Sequence, residues 1–211
     1  MSRVTIPEQN YQGYIFDLDG TLVDSMFTHF RAWRKALALA GAPAEVFRAR
    51  EFVAYGGRAA HDIVAALNIK YSLNMDAQSV ANHKRELYLE LLQTEKLSII
   101  EECIALVRRL KAQGIPYAIG TGSAITGALE TLRSAEIEDL FSIIITPDEV
   151  PAGRGKPQPD IFLLCAEKMG VDPTQCIVFE DAQPGIDAAI AGGMAYAVVA
   201  EPDMSQWDSI C

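Results

Sequence analysis

Carboxylates, hydroxyls and a lysine stand at the ends of four β-prone runs in this 211-residue chain. Asp17 and Asp19 follow Tyr14-Ile15-Phe16, Thr121-Gly122-Ser123 close a run that begins at Ile115, Gly155-Lys156-Pro157 lies beyond Ser142 to Ile145, and Glu180-Asp181 follow Cys176 to Phe179. Brought together, Asp17, Asp19, Glu180 and Asp181 would each raise the cost of ionising the others unless a cation compensates. A hard divalent ion with oxygen ligands, Mg²⁺ above all, meets that need. The neutralised cluster then accepts a phosphate, with Lys156 as a point charge and the hydroxyls and backbone N–H groups of Thr121, Gly122 and Ser123 as donors at a helix start. Asp17 has two readings, metal ligand alone or also nucleophile on phosphorus through an aspartyl-phosphate. Asp19, two residues on, is placed to act as general acid toward the leaving oxygen and then as general base toward water. Transfer to water makes a phosphatase, and transfer to another hydroxyl of the same sugar makes a mutase.

Taken singly, a DxD or a Glu-Asp pair is ordinarily a solvated loop, Thr121 or Ser123 a helix cap, and Lys156 a surface side chain. The case rests on shared topology. In an open parallel sheet, strand ends converge on one crevice at the carboxyl edge. The spacing predicts such a sheet, with strands at Tyr14 to Phe16, Ile115 to Thr121, Ser142 to Ile145, Cys176 to Phe179 and Ala195 to Val199. Helices are expected between them, at Glu101 to Gln113, Ile125 to Ala135, Pro159 to Met169 and Pro184 to Ala191. After the first strand the rhythm changes. Residues from Phe27 to Leu39, Glu45 to Phe52, Ala59 to Leu67 and Met75 to Gln93 all read as helix, broken by Gly41, Pro43 and Tyr55-Gly56-Gly57-Arg58. The expected fold is therefore α/β, a doubly wound Rossmann-like parallel sheet with an inserted helical cap: residues 1–24 and 97–211 form the catalytic core and residues 25–96 the cap.

Composition narrows the function classes. The chain is 50% hydrophobic and 22% charged with a formal net charge of −10, which disfavours nucleic acid and anionic membrane surfaces as partners. That charge is unevenly divided. Residues 25–96 hold ten Lys or Arg and seven Asp or Glu, a net of +3, whereas the remainder carries −13. A mildly basic cap over an acidic core suits a small anion trapped between them. No apolar run approaches the ~20 residues of a membrane span, and no signal-like run follows the start, so a cytoplasmic location is expected. Cys103, Cys165, Cys176 and Cys211 lie too far apart for a CxxC site, and the first three read as small apolar core residues. A monomer is expected, since no extended apolar interface pattern is evident.

The ordered set Asp17-Leu18-Asp19-Gly20-Thr21-Leu22-Val23-Asp24, Thr121-Gly122-Ser123, Lys156-Pro157 and Phe179-Glu180-Asp181-Ala182 resembles the four motifs of the haloacid dehalogenase-like phosphohydrolases, over nearly the whole chain. The helical insert is similar to the cap of their β-phosphoglucomutase-like branch. Phe162 to Val171, Pro173 to Cys176 and Gly185 to Ala189 resemble bacterial fructose-1-phosphate and 6-phosphogluconate phosphatases of that branch. The resemblance implies Asp17 as nucleophile, Asp19 as acid/base and, through its backbone carbonyl, metal ligand, Asp181 as metal ligand and Glu180 as a carboxylate supporting the metal or its waters. Thr121 and Lys156 would hold the phosphoryl group, with Gly122 and Ser123 beside them. In the cap, His29 matches a hinge histidine and Lys84 a substrate-facing lysine; the bland readings are a packed histidine and a solvated helix face. Arg58 stands in a loop that departs from the Gly-Val-Ser-Arg form of β-phosphoglucomutase, and is assigned to the sugar or a distal anion. His61 and His83 receive no role, and Trp33 reads as cap packing. The implied activity is Mg²⁺-dependent hydrolysis of a small phosphorylated sugar, a hexose phosphate such as fructose 1-phosphate. The rivals are β-phosphoglucomutase activity and a noncatalytic sugar-phosphate sensor or partner-binding module.

Overall fold

The computed structural model describes residues 3–210; Cys211 lies outside them. Five parallel strands, β1 (Gly13–Phe16), β2 (Tyr117–Gly120), β3 (Ile144–Ile145), β4 (Cys176–Glu180) and β5 (Ala195–Val198), form one sheet in the order β3-β2-β1-β4-β5. Because side chains alternate across a strand, Tyr14 and Phe16 face one layer and Ile15 the other. The first layer is α5 (Glu101–Gln113) and α6 (Ile125–Ser134), which bury Cys103, Ile104, Val107 and Leu132 against Phe16, Ile119 and Phe179. The opposite layer is α7 (Asp160–Met169) and α8 (Gln183–Ala191), which bury Phe162, Cys165 and Ala188 against Ile15, Ala118 and Val178. Cover on both faces is what an all-parallel sheet requires, and it explains why the strands are continuously apolar. Cys103, Cys165 and Cys176 are buried with free thiols, in the apolar positions expected of them.

Between β1 and α5 stand α1 (Met26–Leu39), α2 (Ala49–Ala54), α3 (Ala60–Tyr71) and α4 (Ala77–Leu92), with their own core around Phe30, Trp33, Phe47, Phe52, Val64 and Leu67. The two passages into and out of this layer run side by side. The amide of Asp24 donates to the Ser98 carbonyl at 2.9 Å, and that of Ile100 to the Leu22 carbonyl at 2.9 Å.

Three local features depart from the sequence reading. The helix expected from Glu45 starts only at Ala49, because Phe47 takes a left-handed conformation (φ 61°) that buries its ring in the cap core while its amide donates to Glu51 Oε2 at 3.0 Å. The third strand shortens to Ile144–Ile145 at the sheet edge, although the Ile143 carbonyl still accepts from Ile119. A further short helix, α9 (Trp207–Ile210), follows β5 and lies against the cap helices, where its indole meets Phe27, Phe30 and Phe52. Among the described residues no helix is long and apolar enough to cross a membrane.

Candidate active site

The strand order reverses at β1, which has β2 on one side and β4 on the other, so the loops after these strands leave a crevice at their carboxyl ends. The loop after β1 is held by its apolar members. Leu18, Leu22 and Val23 are buried in the core, and the Leu18 carbonyl accepts from the amides of Leu22 and Val23, which leaves Asp17, Asp19 and Thr21 to face the crevice. Gly20 turns the chain at φ 95°, and a Cβ there would collide with the Asp181 carboxylate.

Beneath the crevice floor Lys156 is fully buried. Its Nζ donates to Asp17 Oδ1 at 2.6 Å and to Glu180 Oε1 at 2.5 Å, and Glu180 Oε2 accepts the Ala182 amide at 2.9 Å. Each Glu180 oxygen thereby has a protein donor. Asp181 differs: Thr21 Oγ1 donates to its Oδ1 at 3.4 Å, and its buried Oδ2 has no partner. Carboxylate oxygens of Asp17, Glu180 and Asp181 lie within 4.8 Å of one another. Burial pushes the Asp17 carboxyl up to about 7 against the pull of Lys156, and burial with the neighbouring Glu180 and Asp17 charges raises Asp181 well above the carboxylate range. The same carboxylates hold Lys156 charged in spite of its burial. One lysine cannot offset three clustered carboxyls. An oxygen-only set with an orphaned buried oxygen fits a hard divalent cation.

Asp19 faces the cap. Its Oδ1 accepts Ser25 Oγ at 2.6 Å and its Oδ2 accepts Ser123 Oγ at 2.7 Å. His29 Nε2 lies 2.9 Å from Oδ1, close but out of hydrogen-bond alignment. Lys84 Nζ donates to His29 Nδ1 at 2.7 Å, which assigns the neutral ring's proton to Nε2, and the ring stacks on Tyr88 at 3.8 Å. Burial opposes ionisation of Asp19, but His29, Ser25 and Ser123 together hold it well below the usual carboxylate range. Burial lowers His29, with Asp19 pulling it back up and Lys84 pushing it further down. Burial likewise takes Lys84 down to about 8 against the Asp19 charge.

A cavity of about 290 Å³ opens between the helical layer and the sheet edge. Asp17, Asp19, Thr121, Gly122, Ser123, His29, Arg58 and Lys84, all singled out in the sequence, line it. Glu180, Asp181 and Lys156 sit behind Asp17, outside its lining. The Ser123 amide donates to Thr121 Oγ1 at 3.0 Å, which fixes the hydroxyl. Arg58 lies 5.1 Å above the Tyr55 ring and keeps its buried Nε without a partner. His61 reaches the cavity rim as an exposed side chain, paired with Asp62. Sequence reasoning missed Thr21, Ser25 and Tyr88 as site residues. Tyr88 had a readable signal, since it stands four residues beyond Lys84 and so on the same helix face; Ser25 follows the first motif at a helix start.

A parallel α/β sheet whose carboxyl edge sets an aspartate on a buried lysine, with a second aspartate two residues on, defines a phosphoryl-handling hydrolase. The chain belongs to the haloacid dehalogenase-like hydrolases, whose family model matches residues 11–193. It is 36% identical to the fructose-1-phosphate phosphatase YqaB of Escherichia coli over 188 residues, 88% of this chain and 95% of that one. It is 33% identical to hexitol phosphatase A of the same organism over 192 residues, 90% and 84% of the two chains. The crystal structure of a hydrolase from Pseudomonas syringae superposes with a TM-score of 0.78 at 26% identity, covering 89% of this chain and 83% of that one. The protein is accordingly an enzyme, a phosphatase of that family.

Proposed function

We propose that the protein hydrolyses small phosphorylated sugars, a hexose phosphate such as fructose 1-phosphate foremost, through an aspartyl-phosphate on Asp17. The observation that carries this reading is a small cavity in which Asp17 and Asp19 share walls with the cap groups His29, Arg58 and Lys84. Asp17 would attack phosphorus while the leaving sugar oxygen takes a proton from Asp19; Asp19 would then accept a proton from the water that cleaves the acyl phosphate. Two hydroxyl donors and the nearby His29 ring favour the ionised form of Asp19, the form required in the second half. Lys156 behind Asp17, the Thr121 hydroxyl and the Gly122 amide would meet the equatorial phosphoryl oxygens, where charge gathers. Mg²⁺ held by Asp17, Asp181 and the Asp19 carbonyl, with Glu180 behind them, would neutralise the carboxyls and the phosphoryl oxygens. Arg58, with its buried unpartnered Nε, and Lys84 would meet the sugar or its distal anion.

The test is phosphate release with Mg²⁺ on a panel holding fructose 1-phosphate, 6-phosphogluconate and both glucose 1-phosphate anomers. Asp17→Asn is expected to lower turnover by at least about 10³-fold with the fold intact; normal turnover would sink the covalent route. On β-glucose 1-phosphate, inorganic phosphate as product supports hydrolysis and glucose 6-phosphate marks a mutase. Binding without release across the panel would favour a sensor.

A further inference from the structure

Beyond β5 the chain leaves the sheet and crosses to the cap. Arg3 grips the departure point: its carbonyl accepts the Ala200 amide at 2.6 Å and its guanidinium donates to the Ala200 carbonyl at 2.8 Å. Some residues later Trp207, 7% exposed, lies with ring centroids 5.3 Å from Phe27, 5.5 Å from Phe30 and 6.1 Å from Phe52. Asp208 Oδ1 accepts the Ala49 amide at 2.9 Å. That amide opens α2, a helix whose own N-cap, Arg48, supplies no side-chain acceptor, so the first turn is capped from the far end of the chain.

What α2 carries is the cap's contact with the catalytic loops. Phe52 lines the substrate cavity with one side and meets Trp207 with the other. The helix runs into Tyr55-Gly56-Gly57-Arg58, where the Gly57 carbonyl packs so closely on Gly122 that no Cβ would fit there, and a Cβ on Gly56 would come within 2.9 Å of Ala182. We propose that Trp207 and Asp208 are positioning residues: by fixing α2 they set how residues 55–58 dock on the phosphoryl-binding loop, and hence the affinity for esters large enough to reach the cap. This rests on the phosphatase reading of the site.

Asp208→Ala, Trp207→Ala and the conservative Trp207→Phe are compared with the unaltered protein in Mg²⁺ on a hexose phosphate and on acetyl phosphate, which is too small to touch the cap. The expected result is a KM for the hexose phosphate raised about tenfold with kcat within threefold, acetyl phosphate turnover within twofold, and recovery in Trp207→Phe. Amide hydrogen exchange with and without orthovanadate supplies a second readout. Residues 49–58 should lose vanadate-dependent protection in Asp208→Ala while β1 and β4 keep theirs. Equal loss on both substrates, or unchanged kinetics with unchanged exchange, overturns the proposal. If the unaltered protein hydrolyses acetyl phosphate but no hexose phosphate, the sugar reading fails, and the exchange experiment alone decides the role of Trp207 and Asp208.

Discussion

Lys156 is the side chain on which the site's electrostatics turn, because it bonds both Asp17 and Glu180 with no exposure to water. A buried ion pair adds little net stability over an apolar replacement, but removal of one partner leaves the others charged in a low dielectric. Lys156→Met strips Glu180 of a charge partner whose loss the Ala182 amide cannot cover. We expect a loss of about 3 kcal/mol in urea unfolding, together with loss of turnover. Addition of Mg²⁺ should recover part of the stability and none of the turnover. The residue types of this constellation were readable because the carboxylates stand at strand ends and Lys156 lies in the loop beyond β3. Its division of labour was not: both Glu180 oxygens have a donor, Lys156 and the Ala182 amide, whereas Asp181 keeps an oxygen without one, and only the packing of two loops decides which.

At the scale of elements the site is a contact between the 55–58 loop and the loop after β2. The closeness of the Gly57 carbonyl to Gly122 leaves no room for a methyl group. Gly122→Ala should hold the cap away from the core while leaving each part folded. Displacement by about an ångström costs on the order of 10²-fold in rate, so kcat/KM is expected to fall by roughly that factor with an unchanged circular dichroism spectrum. A variant with normal kcat/KM would show that the contact is dispensable. Helix periodicity revealed α1 and α4 within two residues at their boundaries and the start of α3 within one, but ended α3 four residues short of Tyr71 and misplaced the start of α2. The reason is Phe47, whose left-handed backbone is stabilised by burial of its ring and by Glu51, a tertiary gain that no propensity encodes.

For the whole molecule, the concentration of carboxyls at one edge links stability to pH and metal. Asp17 releases its proton near 3.8 when unfolded and near 7 when folded, so between those values the folded state holds a proton that the unfolded chain has lost, and stability falls as pH rises. Asp181 acts in the same direction. His29, lowered from 6.5, acts in the opposite direction with or without metal and so cancels from a comparison of the two. Mg²⁺ binds the ionised carboxyls, so the rise in melting temperature on saturation is expected to be about 5 °C or more at pH 8 and markedly smaller at pH 5. Scanning calorimetry in chelator and in Mg²⁺ checks this; equal rises at both pH values would place the metal elsewhere.

Sequence by itself determined the alternation of strands and helices, the helical insertion and the four polar clusters, because periodicity and turn chemistry act over a few residues. It also carried the charge contrast between residues 25–96 and the rest. Tertiary structure decided the strand order, the pairing of His29 with Lys84 across 55 positions, and the cap on α2 that Asp208 supplies from 159 positions away. Such contacts depend on the entropy of closing long loops and on which buried polar groups are left to be satisfied. Those quantities exist only once the whole chain has packed.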